Sequence, residues 1–539
     1  MAKKIFYADQ ARDKVLSGAK QLYDAVKVTF GPKGQNVVIE KSYGAPTITH
    51  DGVTVAEAVD LGSTEDNLGE QIGAKLIKSA AQKLNKVAGD GTTTVTVLTY
   101  NILAEANKLI AAGVNPMELR KGIEDAGAEI IKSIEKSAEK IEGDDQKVAE
   151  VASISAGDQE IGKLIADVIS KIGKDGVVTV EQGQGLEMEQ EIVEGFTYDK
   201  GFSSPFFITD TNRQEAVFEK PLLLVTDKKI SSASELIPLL EQCAQAGKKD
   251  LVIIAEEVEG EALSVLVLNK LKGVFNTLVL KAPSFGDRRK EIMEDIAILT
   301  DATVVSADKG MKLEEVGLEV LGSCGKVIAT KDETTIIKGA GDKKAVASRI
   351  ELIQSQATLA KSDYEREELE KRAAALLGKV AVIKVGGASE TEIDEKKFRV
   401  DDAVAATKAA LAEGIVTGGG VTLVNLAASL KTDSDGAKIV KRALRAPFIH
   451  IMENAGLNSQ ALLAEVEKAK PGQGVNVMTP EKGLIDLKKA GVIDPAKVTK
   501  EAVQMATSIA ATAITMGALI VDIPEKQPAT PGADMGGMY

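Results

Sequence analysis

Residues 89–94 read Gly89-Asp90-Gly91-Thr92-Thr93-Thr94 and run directly into Val95-Thr96-Val97-Leu98, the start of an apolar segment of helical length that continues through Leu109-Ile110. A Gly-Asp-Gly turn entering a helix suits a nucleotide's phosphates and its metal. Glycine lets the backbone approach phosphate oxygens without a Cβ in the way. The Asp90 carboxylate is a hard oxygen ligand of the kind Mg²⁺ takes beside phosphate oxygens. The threonines bring hydroxyls to the free N–H groups of a helix start, where anions bind favourably. The competing interpretation is an ordinary turn whose threonines cap the following helix. On these six residues alone the two stand level, because short glycine motifs recur by chance.

Length and composition bound the rest. The chain has 539 residues, enough for roughly three or four domains. Hydrophobic residues at 44% and charged residues at 27% are an ordinary globular balance. A net charge of −14 argues against nucleic-acid backbones as partners, which call for a basic patch. Cys243 and Cys324 stand far apart without metal-ligand spacing; they fit a reducing compartment and burial as small hydrophobes. Two histidines, His50 and His450, are too few for a histidine metal centre or a Ser-His-Asp triad. No apolar run approaches the ~20 residues of a membrane span, and residues 1–6 lack a signal-peptide core. A cytoplasmic protein without a membrane partner is expected.

Periodicity gives an order of helix, α/β, helix. Residues 8–137 read as mostly helical, with one helix over 9–28 and a long one over 63–87 striped by Leu68, Ile72, Leu76 and Ile77. Residues 36–40 and 46–49 form a hairpin between them. From about 150 the texture changes, with strand-like alternation over 176–181 and 187–192. The apolar runs 222–225, 251–255, 277–280 and 303–305 suit buried strands separated by helices, as in βαβ units. Residues 347–377 form a charged helix or helix pair, and a strand follows over 380–385. Alanine-rich helices return over 401–413, 419–430 and 502–519. One helical domain is therefore split around an inserted α/β domain. Residues 524–539 are expected to be a disordered tail.

Three motifs fall away. Residues 157–163 have Walker spacing, but Leu164 stands where a Mg²⁺-binding Ser or Thr belongs and no strand precedes them. Ser284-Phe285-Gly286-Asp287 lacks the other loops of a kinase, and Gly418-Gly419-Gly420 is too short for a dinucleotide fingerprint. Other positions gain meaning together. Thr29-Phe30-Gly31-Pro32-Lys33-Gly34 makes a proline-rigidified turn after the first helix. Thr49-His50-Asp51-Gly52 ends a strand with a carboxylate, and Asp401-Asp402 opens a helix where the macrodipole favours negative charge. Each alone is more often a cap or a turn. Phosphoryl transfer to water asks for a placed metal, a placed nucleotide and a carboxylate that orients the water. Asp90, Asp51 and Asp402 supply those parts if the fold gathers them.

Two helical segments of the insert, residues 236–243 and 261–269, are apolar around nearly their whole circumference. The usual outcome is burial on all sides. The alternative is an exposed groove that binds apolar segments.

The stretches AVKVTFGPKGQNVVIEKSYGAPTITHDGVTV, AGDGTTT, KAPSFGDRRK, VAVIKVGGASETEIDEKKFRVDDA and EGIVTGGGVTL, in that order, make the chain resemble the GroEL-type group I chaperonins from about Ala2 to Asp522. The resemblance implies a multidomain α+β chaperonin fold. Its all-α equatorial ATP-binding domain is split over 1–137 and 413–539, its small intermediate hinge domain covers 138–193 and 381–412, and its α/β apical domain covers 194–380. By matching motif, the resemblance gives Thr29, Phe30, Gly31 and Pro32 nucleotide contacts, Asp90 the Mg²⁺, and Gly91, Thr92, Thr93 and Thr94 the phosphates. The backbone carbonyl of His50 would face the phosphate-bound cations, K⁺ among them. Asp402 matches the carboxylate that activates the attacking water, assisted by Asp51. Gly419, Asn476, Val477, Met478 and Asp494 would enclose the base and ribose. Phe202, Ser204, Phe206, Phe207, Ile237, Leu240, Leu263, Val267, Leu268 and Asn269 match the surface that binds non-native polypeptides and then a GroES-type lid co-chaperonin. The implied machine is a homo-oligomeric, seven-membered ring that encloses clients on an ATP-timed cycle, with one ring or two left open.

Four features differ from the family pattern. The helix over 63–87 is about four residues longer, or ~1.1 turns, which would push the Asp90 loop ~6 Å along the axis unless the helix bulges or its start shifts. Ile141 replaces a proline at the lower hinge, and Gly378-Lys379 replaces Gly-Gly at the upper one. Ile449 and Asn458 replace an Arg and a Glu at the ring-to-ring contact. The Gly-Gly-Met repeat tail is cut to residues 535–539. The hinge changes motivate a rival function, a non-cycling assembly that binds proteins or lipids through its apical surface.

Overall fold

Helix Ala8–Val26 and helix Glu70–Ala88 pack so closely that two glycines carry the contact. A Cβ added to Gly18 would lie 1.7 Å from the Glu70 carbonyl oxygen, and one added to Gly73 would lie 1.8 Å from that of Val15. Only glycine allows this approach, and it fixes the register between the helices. The computed structural model describes residues 2–40, 46–62, 64, 67–173, 176–183, 185–211, 213–360 and 362–523. It divides the chain into a first unit of Met1–Lys174, Gln182–Met188 and Val385–Tyr539, and a second of Asp175–Glu181 and Glu189–Lys384.

The first unit is helical, and both ends of the chain build its core. Leu22, Ile77, Leu84 and Leu98 pack with Val503, Ala506 and Ala510 of helix Ala496–Ala513. The long helix expected over 63–87 begins at Glu70, behind Gly69 in the left-handed conformation (φ 94°), and runs without a bulge to a cap at Gly89. The helix thus starts seven residues later than the sequence suggests. Ser63 itself lies outside the described residues, as does the expected tail over 524–539. The helix expected over 502–519 stops at Ala513, and Ala518–Asp522 is instead a strand paired antiparallel with Lys3–Tyr7. The hairpin forms as Val37–Ile39 and Thr47–Thr49. Ile141 is buried among Val148, Val151, Ala406, Ile415 and Ile493. Ile449 packs against the Phe448 and Met452 cluster, and Asn458 caps helix Ser459–Val466 through the Ala461 N–H at 3.2 Å.

The second unit is built on a mixed sheet. Strands Leu222–Val225, Asp250–Ala255 and Asn276–Lys281 are parallel neighbours, and their continuous apolar sequence follows from burial on both faces. Gly322–Ala329, Thr334–Gly339, Glu189–Tyr198 and Lys379–Val385 extend the sheet antiparallel, and Lys379 lies opposite Glu194. The strand expected over 303–305 is reduced to a single bridge between Val305 and Thr226. Residues 347–377 resolve into a pair, helices Lys343–Leu359 and Asp363–Leu376. A buried carboxylate ties this pair to helix Gly286–Thr300: Asp295 accepts from Arg349 Nε at 2.7 Å and from Arg372.

Gly73→Ala is expected to destabilise the first unit by about 1–3 kcal/mol, the usual range for overpacking. Denaturant unfolding checks it, and an unchanged midpoint would show that the two helices can separate at no cost.

Candidate functional site

Both closely packed helices end at one cleft. Helix Ala8–Val26 passes through a short 3₁₀ turn, Lys27–Thr29, into Phe30-Gly31-Pro32, and helix Glu70–Ala88 ends at Gly89. Gly89 and Gly91 have φ of 69° and 85°, values that L-residues with a Cβ avoid. Space demands glycine as well. A Cβ on Gly89 would lie 2.1 Å from Ala405 Cβ, and one on Gly91 would lie 2.6 Å from Val498 Cγ1. Helix Thr92–Ala111 starts at Gly91 with no side-chain cap. Thr92, Thr93 and Thr94 are the first helical residues rather than the N-cap, and all three line the cleft, where first-turn N–H groups have no partner within the helix.

The cleft has a volume of about 1210 Å³ and lies within the first unit. Its lining includes Thr29, Phe30, Gly31, Pro32, His50, Asp51, Asp90, Gly91 to Thr94, Asp402, Gly419, Asn476, Val477, Met478 and Asp494. Their individual settings differ. The Thr29 hydroxyl is spent on the Val26 carbonyl at 2.9 Å, so its exposed resource is backbone. Asp51 caps helix Gly52–Ala58, accepting from the Val53 and Thr54 N–H groups at 3.1 and 2.8 Å and from the Thr54 hydroxyl at 2.6 Å. Burial holds the His50 imidazole below its ordinary pKa, which favours the neutral ring. Asp494 sits on strand Ile493–Pro495, paired with Ile415–Thr417.

Three recessed carboxylates dominate the electrostatics. Burial raises the pKa of Asp90, and the charge of Asp51 adds to the shift. Asp402 does not open a helix, as the sequence suggests, but lies in the middle of helix Glu390–Glu413; it is raised well above the usual carboxylate range by burial, then by the charges of Asp51, Asp90 and Asp401. Asp494 is pushed up to about 7 by burial and by Asp90. No three His, Cys, Asp or Glu side chains among the described residues gather closely enough to hold a metal by themselves.

Several residues at or behind the cleft wall carried no signal in the sequence. Ser155 donates its hydroxyl to Asp90 Oδ2 at 3.1 Å. Asn454 donates to the Lys27 and Phe30 carbonyls, both at 2.9 Å, and so holds the turn that follows the first helix. On the same helix, His450 joins the Tyr23 hydroxyl at 2.6 Å to Glu453 at 2.9 Å. The discarded Walker-like segment is indeed no phosphate loop, since Gly157 ends helix Asp145–Ala156 and Asp158 caps helix Gln159–Ile172. Nevertheless residues 155–159 and Lys163 line the cleft.

In the second unit, the two helices apolar on all sides are not buried on all sides. Along Gly260–Leu271 only Ala262 and Leu266 are buried, while Leu268 is 49% exposed. Along Ile237–Gln245 only Leu239 and Cys243 are buried, and Ile237 is 44% exposed. Leu240, Leu263 and Val267 are partly buried against the core, and Asn269 is half-buried. The aromatic part of the expected surface needs correction. Phe206 is 62% exposed, but Phe202 and Phe207 belong to the core. Ser204 is buried and accepts from the Phe206 N–H at 3.4 Å. The 3₁₀ turn Pro205–Phe207 rotates successive side chains by about 120°, which separates the neighbouring aromatics.

A helical unit assembled from both ends of the chain, with an α/β unit inserted between them in sequence, is a multidomain α+β architecture. The TCP-1/cpn60 chaperonin family model matches residues 22–524, and the chain belongs to that family. It is accordingly a protein-folding chaperone of the kind that binds non-native polypeptides and assembles as an oligomeric ring.

The carboxylates make stability pH-dependent. A carboxyl whose folded pKa is raised disfavours its ionised form, so the stability it permits is full at low pH and is lost as pH rises through the folded value. For Asp494 the window runs from 3.8 to about 7. Melting of the ligand-free protein is expected to fall across that window, and Asp494→Asn should flatten the decline. An identical slope in the variant would refute the assignment.

Proposed function

We propose that the chain is a group I, GroEL-type chaperonin: an ATPase whose ring captures non-native polypeptides and releases them on a cycle timed by hydrolysis. The observation that carries this reading is the convergence of Asp90, Asp402 and Asp494 beside an uncapped helix start in one cleft. Buried carboxylates without a cationic partner are costly, and a nucleotide bearing a divalent cation would relieve that cost while its phosphates meet the free N–H groups.

The residues fit Mg²⁺. Asp90 would hold it, with phosphate oxygens completing the set, and the ion when bound would neutralise phosphate charge. The His50 carbonyl would face K⁺. Gly91 and Thr92 to Thr94 would meet the phosphates, with Gly89 and Gly91 packed against Ala405 and Val498 to hold the loop in place, and Gly31, Gly419 and residues 476–478 would enclose the remainder of the nucleotide. Asp402 takes the proton from the attacking water. Its raised pKa makes the ionised form a stronger base, and Asp51, fixed by its own helix cap, contributes negative charge without moving. Ser155 keeps Asp90 oriented.

The exposed Ile237, Leu268 and Phe206, with Leu240, Leu263 and Val267 half-buried around them, supply the apolar surface for clients and then for a GroES-type lid. A seven-membered ring and a cytoplasmic location complete the proposal, which draws its support from the long motif matches to group I chaperonins. Asp402→Ala is expected to cut ATP hydrolysis by at least ~10²-fold, the usual scale for a lost general base, with nucleotide affinity within a few-fold of wild type. Steady-state turnover and nucleotide titration check this. Full hydrolysis in the variant would remove Asp402 from the chemistry, and no hydrolysis in the wild type would favour a non-cycling assembly.

A further inference from the structure

Lys270 occupies a costly position. It lies near the end of helix Gly260–Leu271 and is half-buried, and no carboxylate among the described residues is within ion-pair distance of it. Burial holds its ammonium down at about 8, against a small opposing effect of the Asp250 charge. An amine placed this way adds less to stability than an apolar side chain of the same length would. Its contacts explain what it does there. Nζ donates to the Phe207 carbonyl at 2.8 Å. It also sits 4.7 Å from the ring centroid of Phe218 and 5.8 Å from that of Phe207, both rings being fully buried. A cation over two aromatic faces, with a charge-assisted hydrogen bond to a carbonyl, resists displacement in a dry setting.

These contacts join two parts of the apolar face. The Pro205–Phe207 turn packs against helix Gly260–Leu271. Phe206, exposed, immediately precedes the residue whose carbonyl Lys270 holds, and Leu268, also exposed, lies two residues before Lys270. We propose that Lys270 is a positioning residue of the client face, which ties the Pro205–Phe207 turn to the helix so that Phe206 and Leu268 are presented together. The inference rests on the proposed client face and adds to it a residue that touches no client. A cation under an apolar surface rigidifies that surface without offering it a charge.

The test uses the full-length assembled protein without nucleotide, and reduced, carboxymethylated α-lactalbumin as a permanently unfolded probe, with binding read by fluorescence anisotropy. Lys270→Met keeps the alkyl stem and removes the ammonium. It is expected to weaken probe binding about fivefold to tenfold, the scale of one such contact, with a melting temperature equal to or above wild type. Lys270→Arg, which keeps charge and donors, should restore affinity to within about twofold. A lowered melting temperature in Lys270→Met, or no rescue by Lys270→Arg, would overturn the positioning role. Phe206→Ala and Leu268→Ala separate the two levels. If they weaken binding while Lys270→Met does not, Lys270 alone is misassigned; if neither weakens it, the client face itself is wrong.

Discussion

The contact of Gly18 with the Glu70 carbonyl and of Gly73 with the Val15 carbonyl constrains the rest of the first unit. Glycine inside a helix costs about 1 kcal/mol relative to alanine, and here the return is position rather than stability. Each of the two helices runs straight into a loop of the cleft, one into Phe30-Gly31-Pro32 and the other into Gly89-Asp90-Gly91. Sliding one helix past the other would move those loops relative to each other by the same distance. Backbone wedged against backbone permits no such slide. Gly89 and Gly91 repeat the device at the loop itself, where Ala405 and Val498 leave no room for a side chain.

Within that rigid frame the electrostatics are left unresolved. Asp51 has its oxygens satisfied by its own helix start, yet its charge still reaches Asp402 and Asp90. Negative charge therefore accumulates on groups that burial already disfavours in ionised form. A scaffold selected for stability alone would have paired them. The strain is electrostatic rather than conformational, and whatever ligand enters must bring positive charge with it.

Much of this was legible in the sequence, for identifiable reasons. The split order of helix, α/β and helix showed in the change from alanine-rich periodicity to short apolar runs. The glycine-rich turns marked positive φ, as Gly31, Gly89, Gly91 and Gly419 have. What stayed hidden depends on distant partners. Residues 518–519 read as the end of a helix because the partner of strand Ala518–Asp522, Lys3–Tyr7, is more than five hundred residues away in sequence. Ser155 and Asn454 carry no local motif, and only folding brings them to Asp90 and Phe30. Residues 303–305 have strand composition but pair with a strand-like neighbour only through the bridge of Val305 to Thr226 among the described residues. Phe206 and Phe207 are adjacent and chemically identical, so no composition rule could separate the exposed ring from the buried one.

The pairing of Lys3–Tyr7 with Ala518–Asp522 also fixes an order of events during synthesis. Strand Lys3–Tyr7 leaves the ribosome more than five hundred residues ahead of the strand that it pairs with. At the ordinary pace of translation, roughly 5–20 residues per second, it waits on the order of half a minute or longer. Throughout that time helix Ala8–Val26 lacks the C-terminal helix that shares its core, and the strand edge beside it remains open to other chains. The second unit, whose sheet is drawn almost wholly from residues 189–384, is complete well before. A protein that shelters unfinished chains must itself pass through a long interval as one.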